Sequence, residues 1–366
     1  MQTALPGTTL AQNRLAFFDN LRVALIVAVI AHHVAQAYGP TGGSWPIQEP
    51  TRAAILGPFF MVNRSFGMSL FFMIAGYFAA MACDRSGAYR FAKSRLQRLG
   101  IPLLVFSLLI LLLQVFLIGP LDTGELGAPW PIDVLHLWFV QHLLLYSLSY
   151  ALWRSLRPRV TEPALRPTPP PSYGAVLAFA VSLALATAIV RTWYPIDHWV
   201  YVLGYVRIAP ADVPRDLSLF VVGLVAYRHQ WVTHFPTKAG RIWLAVGLAL
   251  ALLWYAYEIW FTDLVVLSDT AWGLLVPLWE SLLCCAMCIG LTILFRDKLN
   301  RQGRVAREMA AGTYVAYMVH IFIVLFLQYL ALGLHAPPLP KFFLVTLVAV
   351  PVTFLLASLI RRPLRL

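Results

Sequence analysis

The sequence has little charge, few cysteines and no polar stretch long enough to form a sizeable soluble domain. Only 12% of the 366 residues are charged while 60% are hydrophobic, and the mean hydropathy is +0.73. These values exclude an ordinary soluble globular protein and are typical of a chain that crosses a membrane repeatedly. No sequence pattern for haem, zinc or nucleotide binding is present.

The four cysteines do not suggest a disulfide framework, because three of them lie inside one apolar run. Cys284 and Cys288 are four residues apart and could share one face of a helix, but no further metal ligand is nearby in sequence. We therefore expect them to pack against apolar neighbours. We predict no metal site and no permanently bound cofactor.

Acidic residues are also scarce, 16 against 28 basic ones, which gives a net charge of +12. Such an excess can indicate nucleic-acid binding, but the basic residues occur in short tracts between apolar runs, as membrane topology requires. We therefore predict a lipid bilayer as partner and no nucleic acid. The apolar runs predict an all-α membrane protein with about ten transmembrane helices in a single domain, residues 1–366. They cover approximately 21–39, 57–82, 99–119, 134–154, 173–193, 216–229, 242–262, 271–295, 309–332 and 341–360.

The basic tracts also predict the orientation of the chain. With the N-terminus in the cytoplasm, 22 of the 28 basic residues flank the inner ends of the segments. This asymmetry predicts that both termini are cytoplasmic. The remaining six are Arg52, Arg64, Arg191, Arg207, Arg215 and Lys341.

Four connecting stretches differ in character. Segments 40–56 and 120–132 are rich in glycine, proline or acidic residues and are expected outside. The proline-rich stretch Pro163–Pro171 is expected to be an unstructured inner linker. Residues His198–Ile208 are apolar but too few to span a bilayer, so we expect an interfacial or re-entrant piece on the outer side.

The first apolar segment carries ionisable residues at both ends. Arg22 and His33 are eleven residues apart, which in a helix is three turns plus about 20°, so they share one face roughly 16 Å apart. Asp19 lies one turn before Arg22, and His32 precedes His33. Ionisable groups in hydrocarbon are costly and usually serve function, which indicates a buried polar path. The simpler interpretation is that the arginine snorkels and the histidines only pack.

The tract before Pro102 holds a candidate anion site. Arg95 and Arg98 are one helical turn apart, with Lys93 close by, and guanidinium groups bind phosphate through paired hydrogen bonds. The alternative is an ordinary basic flank of a membrane helix.

The fourth and ninth segments carry further polar groups. The fourth has His136, Trp138, Gln141 and His142 within seven residues, which favours an acceptor-side site over a simple aromatic belt. The ninth has a loose stripe of two phenols and an imidazole, groups that need partners when buried. Its members are Tyr314, Tyr317 and His320. For Glu258 and Glu280 in neighbouring segments we expect structural pairing.

These segments together resemble the integral-membrane acyltransferase family 3. The first helix of that family carries Arg-x10-His, matched here by Arg22 and His33, and its Arg-x-x-Arg-Leu-x-x-Pro signature is matched by Arg95 to Pro102. Its Phe-Phe-x-x-Ser-Gly motif is matched around Gly76, except that Ala75 replaces the serine. The lead into the first helix is similar to the branch near periplasmic glucan succinyltransferases.

The resemblance implies a function. The donor would be cytoplasmic acyl-CoA, held by Lys93, Arg95 and Arg98. The acceptor would be an extracytoplasmic carbohydrate hydroxyl, reached from a bacterial inner membrane and bound by the polar groups of the fourth and ninth segments. His33 would be the general base, with Arg22, Asp19 and His320 as further catalytic residues, since an imidazole with an ordinary pKa near 6.5 suits proton transfer.

Several alternatives stay open. Direct transfer and an acyl-histidine intermediate are both compatible with these residues. A transporter or flippase with a buried Arg/His path is the second interpretation of the function. A membrane-sensing or scaffold protein is the third, although it does not explain the Arg22–His33 stripe. The identities of the acyl group and the acceptor are open, as is a homo-oligomer.

Overall fold

Helices make up almost all the regular structure of the chain. The computed structural model describes residues 16–40, 45–118, 134–156, 165–262 and 268–364. The helices are α1 (Ala16–Tyr38), α2 (Leu56–Ser86), α3 (Ala88–Arg95), α4 (Ile101–Leu113), α5 (Trp138–Ser155), α6 (Tyr173–Arg191), α7 (Val213–Arg228), α8 (Trp231–His234), α9 (Thr237–Ala256), α10 (Asp269–Lys298), α11 (Arg304–Ala331) and α12 (Pro338–Leu364). The π-helical turns Leu96–Gly100, Gln114–Ile118 and Tyr257–Phe261 follow α3, α4 and α9, and the 3₁₀ turn Leu135–Leu137 precedes α5.

The prediction of an all-α polytopic membrane protein is confirmed. In the described part of the chain, eight helical stretches are long and apolar enough to cross a membrane. Helices α5 and α7, with 18 and 16 residues, occupy the fourth and sixth predicted segments but are not among those eight. The count of ten crossings therefore stays a prediction, although all ten segments contain a helix.

The chain forms two compact units. Unit 1 comprises Met1–Gly67, Phe235–Asp269 and Leu282–Leu366. Unit 2 comprises Met68–His234 and Thr270–Ser281. Helices α2 and α10 each contribute residues to both units, and the proposed single domain 1–366 stays a prediction.

In unit 1, α1 and α11 pack side by side and run in the same direction. Near the start of both helices, Asn20 donates from Nδ2 to the carbonyl of Arg301 at 3.0 Å. Near their other ends, Gln328 donates from Nε2 to the carbonyl of His33 at 3.1 Å. Both a ten-helix and an eight-helix path give this parallel arrangement, because leaving out α5 and α7 removes two crossings.

Helix α12 packs against both of these helices and runs opposite to α11. Arg361 near its end donates to Glu308 near the start of α11 at 3.0 Å. The start of α1 and the end of α12 therefore lie at the same end of unit 1.

In unit 2, α2 and α7 run parallel, with polar contacts at two levels. Ser69 donates to Asp216 at 2.7 Å near the start of α7. Arg228 at the end of α7 donates to Asp84 at 3.3 Å. Arg154 at the end of α5 also donates to Asp84, at 2.8 Å. Residues from the ends of α2, α5 and α7 therefore meet around one carboxylate.

Glycines bring the backbones of α2 and α7 into contact. A Cβ added at Gly76 would collide with the carbonyl oxygen of Phe220, and one added at Gly223 would collide with the carbonyl oxygen of Met73. Gly76 thus lets a neighbouring helix approach closely, and its partner in α7 is a second glycine, Gly223.

Two short connecting stretches differ from expectation in detail. Residues Val200–Val202 (β1) and Val206–Ile208 (β2) form an antiparallel hairpin, whose turn places Leu203 and Gly204 at φ values of 54° and 70°. The described part of the proline-rich linker, from residue 165, has no regular secondary structure, but hydrogen bonds attach it to the rest of unit 2. Arg166 donates its backbone N–H to the carbonyl of Arg228 at 2.8 Å, which ties the stretch to α7. The predicted outer segment 120–132 lies outside the described residues.

Candidate active site

Two histidines predicted separately from α1 and α11 meet in unit 1. The ring centroids of His33 and His320 are 5.1 Å apart, with the ring planes at 41°. His320 is fully buried, and its Nδ1 lies 2.6 Å from the carbonyl oxygen of Tyr317. A carbonyl can only accept, so Nδ1 carries the hydrogen, and in the neutral ring the lone pair is on Nε2. The pair thus contains a nitrogen able to accept a proton.

His33 also stacks on Trp45, which follows α1 in the connecting segment. The two rings are 5.5 Å apart and inclined by only 20°. The indole Nε1 donates to Oε1 of Gln328 at 2.9 Å. Gln328 in turn donates from Nε2 to the backbone carbonyls of His33 at 3.1 Å and Val34 at 3.0 Å.

Sequence reasoning missed both Trp45 and Gln328. Trp45 lies in a segment that composition marks only as an outer loop. Gln328 was detectable, because an amide in an apolar helix must find partners when it is buried. It is 1% exposed and bonded at both ends of its side chain.

The segment that carries Trp45 is fixed to unit 1 at several points. We call residues 45–55 the strap. The backbone N–H of Glu49 donates to the carbonyl of Ala37 at 3.0 Å. The Glu49 carboxylate forms an ion pair with Lys341 at 2.8 Å. Arg52 donates to the carbonyl of Gly39 at 3.1 Å. These bonds hold the strap against the end of α1.

The two adjacent histidines of α1 have different surroundings. Their rings are 5.7 Å apart and nearly perpendicular, at 84°. His32 lies edge-on to Phe60 of α2 at 5.2 Å and accepts a hydrogen bond from Gln36 at 3.3 Å. His32 therefore faces the neighbouring helix α2, whereas His33 faces Trp45 and His320, as the rotation of about 100° between adjacent helical residues requires.

Arg22 and Asp19 form an ion pair at the start of α1. Their side chains are 3.0 Å apart and 29% and 42% exposed, so the pair contributes little stability but holds the guanidinium near the helix start. His33 lies in the second half of α1. Helix α1 begins at Ala16 rather than near residue 21, which puts His33 about 9 Å beyond the helix midpoint at ~1.5 Å per residue.

The predicted anion-binding residues lie in unit 2, in α3 and the π-helical turn after it. The guanidinium of Arg95 lies over the ring of Phe91 at 5.0 Å, while Lys93 and Arg98 are exposed. Helix α3 packs on α5, and Phe91 lies edge-on to Tyr150 with ring centroids 6.3 Å apart.

Two arginines that the sequence did not single out gather beside Tyr150. Arg154 and Arg228 both donate to Oδ1 of Asp84, and Arg228 also donates to the Tyr150 hydroxyl at 2.8 Å. Their side chains are 28% and 25% exposed. One carboxylate cannot neutralise two guanidinium groups, so this part of unit 2 carries excess positive charge.

The acceptor-side residues of the fourth segment hold the hairpin of unit 2. Gln141 donates from Nε2 to the carbonyl of Tyr205 at 3.1 Å and accepts from the backbone N–H of Arg207 at 3.1 Å. His142 donates from Nε2 to the carbonyl of Arg207 at 3.2 Å. The Gln141 amide thus bonds the backbone of the hairpin, at Arg207 of β2 and at Tyr205 just before it, as a neighbouring strand would. It follows that Gln141 and His142 have a structural task that the sequence did not indicate.

The other two residues of that segment differ in exposure. His136 is buried in the 3₁₀ turn before α5. Trp138 is half-buried and contacts Trp199 at 5.9 Å between ring centroids. Trp199 also lies under the guanidinium of Arg207 at 4.0 Å.

The two tyrosines singled out from the ninth segment lie in α11. Tyr317 is buried, with its ring 5.6 Å from that of His320. The hydroxyl of Tyr314 is buried and has no hydrogen-bond partner in the part of the chain that the structure describes.

The structural pairing expected of Glu258 and Glu280 is confirmed. Glu280 pairs with Arg191 at 2.6 Å, and Glu258 accepts from Trp254 at 2.8 Å.

Comparisons with known proteins agree with the motif resemblance. A family model described as "Acyltransferase domain" matches residues 15–358, which is nearly the whole chain. Curated relatives named "Glucans biosynthesis protein C" occur in Salmonella paratyphi B, Salmonella heidelberg and Salmonella agona, each 28% identical over 162 residues. The match covers 40% of this chain and 41% of each relative, so the chain spans about two fifths of their length. No solved structure matches the chain.

Proposed function

The chain belongs to the integral-membrane acyltransferase family 3, and from this premise we propose that it transfers an acyl group from a coenzyme A thioester to a carbohydrate hydroxyl. The observation that carries the proposal is the contact between His33 and His320 inside a membrane protein. Burying two imidazoles in contact inside a membrane protein costs free energy, so such residues usually serve function, and proton transfer is the usual function of a histidine.

The proposed step is a direct transfer with His33 as general base. An imidazole nitrogen accepts the proton of the acceptor hydroxyl, and the oxygen attacks the thioester carbonyl. The new C–O bond replaces the C–S bond. The imidazole returns the proton to the sulfur, which leaves as the free thiol of coenzyme A. His320 lies in ring contact with His33 and supports the same proton transfer through its Nε2. Arg22, held by Asp19, is assigned an electrostatic role on the same helix.

For the donor, we propose that the phosphates of coenzyme A bind to unit 2 at α3. Lys93, Arg95 and Arg98 supply charge-assisted donors, which suit phosphate. Arg154 and Arg228 support this assignment, because they add excess positive charge beside the helix on which α3 packs.

For the acceptor, we propose a glucan or another carbohydrate outside the cytoplasm. The curated relatives are named for glucan biosynthesis, which motivates the choice. In unit 2, Trp138 is half-buried and its ring suits stacking on a sugar, and His136 lies two residues before it. In unit 1, the Tyr317 ring is a further candidate for contact with the acceptor. Tyr314 offers a hydroxyl for hydrogen bonding. Gln141 and His142 would act by holding the hairpin rather than by touching the acceptor.

We further propose that the protein lies in a bacterial inner membrane with both termini cytoplasmic. The start of α1 and the end of α12 lie at one end of unit 1, as this orientation needs. The basic tract 296–307 and Arg361 lie at that same end, which suits the cytoplasmic face.

A transporter or flippase is the second candidate, and one observation favours it. Unit 2 contains a buried network in which Arg191 and Arg215 pair with Glu280 and Asp212 at distances of 2.6 to 3.9 Å. Buried charges of this kind can line an ion path.

The purified protein separates the two candidates. It should release free thiol from acetyl- or succinyl-coenzyme A and label an added glucan oligosaccharide, and His33→Ala should do neither. If the folded wild type transfers nothing to any carbohydrate from a panel of thioesters but moves a labelled anion into vesicles, the acyltransferase proposal is wrong.

A further inference from the structure

The His33 ring is held on one face by an indole. A histidine on a helix can adopt several staggered side-chain conformations, and a general base must be held close to one of them. Trp45 lies nearly parallel to the imidazole, 5.5 Å away at 20°. Face-to-face contact of this kind leaves the edge of the imidazole, which bears both nitrogens, uncovered by the indole. Stacking can therefore fix the ring without blocking its chemistry.

The indole is held in turn by Gln328. The indole N–H of Trp45 donates to Oε1 of Gln328 at 2.9 Å, and this hydrogen bond orients the indole ring. Both ends of the amide are used, because Nε2 donates to the backbone carbonyls of His33 and Val34. The contacts form a closed loop from the His33 ring through Trp45 and Gln328 back to the His33 backbone.

A purely structural contact would not require this chemistry. Gln328 lies in a helix apolar enough to span a membrane and is 1% exposed. A buried amide costs free energy unless every polar atom finds a partner, whereas an apolar side chain would fill the same space without that demand. The loop also joins α1, the strap and α11 at one histidine. Gln328 is far in sequence from the other two members.

We propose that Trp45 and Gln328 form a bracket that fixes the orientation of the His33 imidazole, and that both are positioning residues for proton transfer. The proposal rests on the function proposed above. The bracket touches the base and its backbone, so its loss should lower kcat while leaving the binding of the thioester unchanged.

The variants remove one contact each. Trp45→Phe keeps an aromatic ring without the N–H, Trp45→Leu removes the stack, and Gln328→Leu removes the amide. Trp254→Phe is the matched control, because Trp254 also donates its indole N–H, to Glu258 at 2.8 Å, but from α9. We expect Trp45→Leu and Gln328→Leu to lower kcat about tenfold or more, with the donor KM within about twofold, since misplacing a reacting group by 1 Å can cost about a hundredfold. Trp45→Phe should be intermediate and the control near wild type.

A second readout does not depend on transfer. In ¹⁵N-histidine-labelled protein in nanodiscs, the His33 ring signals, assigned by their loss in His33→Ala, should be sharp in the wild type. They should broaden or shift in Trp45→Leu and Gln328→Leu but not in Trp254→Phe. Gel filtration and thermal unfolding of each variant show that it remains folded.

The two readouts distinguish the possible failures. His33 signals that stay unchanged in both Trp45→Leu and Gln328→Leu overturn the bracket, whatever the activity. Changed signals with an unchanged kcat overturn its role in the reaction. If the His33 signals respond but the wild type transfers no acyl group at all, the function proposed above has failed and the catalytic meaning of the bracket falls with it.

Discussion

His320 donates from Nδ1 to the carbonyl of Tyr317 at 2.6 Å, within its own helix, and this contact fixes which ring nitrogen can act as a base. The bonded nitrogen carries hydrogen, so the lone pair of the neutral ring lies on Nε2. His320→Asn places an amide N–H close to the position of Nδ1 but leaves no group at Nε2. We expect it to keep the fold and to lose most of the transfer activity, by a factor of roughly 100 or more if the second imidazole takes part in proton transfer.

The measurement is single-turnover acyl transfer by purified His320→Asn and His320→Gln. The glutamine can reach towards the Nε2 position but has no basic nitrogen, so it should not restore transfer. Near-normal turnover in either variant would show that His320 only packs against His33.

The basic residues of α3 and of the π-helical turn after it lead to a separate prediction about binding. Replacing both Arg95 and Arg98 by alanine should weaken coenzyme A binding tenfold or more, since one charge-assisted hydrogen bond contributes about 1.5–3 kcal/mol. Arg362, also at the end of a helix but in α12, gives a control variant that should leave affinity unchanged. Calorimetry with free coenzyme A measures the difference. Equal affinity in a well-folded double variant contradicts the donor-site assignment.

The close contact of α2 and α7 predicts an effect on stability. Gly76→Ala places a methyl group against the carbonyl oxygen of Phe220, which cannot move without shifting α7. Overpacking of this kind costs about 1–3 kcal/mol. Gly273→Ala in α10 is the control, because an added Cβ there meets no described atom within 4 Å and alanine is the better helix former. Thermal unfolding in detergent should separate the two variants, and equal midpoints would contradict the close packing.

The helices and the shared face of Arg22 and His33 could be predicted from the sequence because each depends on local pattern. Apolar length predicts a membrane helix, and a spacing of eleven residues places Arg22 and His33 on one face whatever surrounds them. The close approach at Gly76 was predictable for the same reason, since a small residue in an apolar helix marks a contact. Its partner, Gly223, was not, because helix pairing depends on the tertiary fold.

The contacts of the strap and of the hairpin could not be predicted from the sequence. Trp45 and Gln328 are 283 residues apart, and nothing in either local pattern indicates that they share a hydrogen bond. Gln141 looked like a ligand-binding residue because it lies with two histidines and a tryptophan within seven residues. The partners turned out to be backbone groups of Tyr205 and Arg207, which a pattern of side chains cannot reveal.

Topology gives a further prediction. Single cysteines at Arg85, just before α3, and at Arg362, near the end of α12, should both react only with reagents that reach the cytoplasm, in a background where the native cysteines are replaced. A cysteine at Thr51, an exposed residue of the strap, should react with impermeant reagent from outside. Labelling of residue 85 or 362 from outside would overturn the orientation that the basic residues predict.

The sharpest test of the site compares His32 and His33, which are neighbours in sequence with different surroundings. His33 contacts Trp45 and His320, whereas His32 lies against Phe60 of α2. We expect His33→Ala to lower transfer by a factor of roughly 100 to 10,000, the usual cost of removing a general base, with thioester binding nearly intact. His32→Ala should cost less and act mainly through stability, because its ring fills space beside α2. Acyl transfer, coenzyme A affinity and thermal unfolding are measured for both purified variants side by side. If His32→Ala is inactive while His33→Ala turns over normally, the base lies on the other face of α1, and the contact between His33 and His320 is only packing.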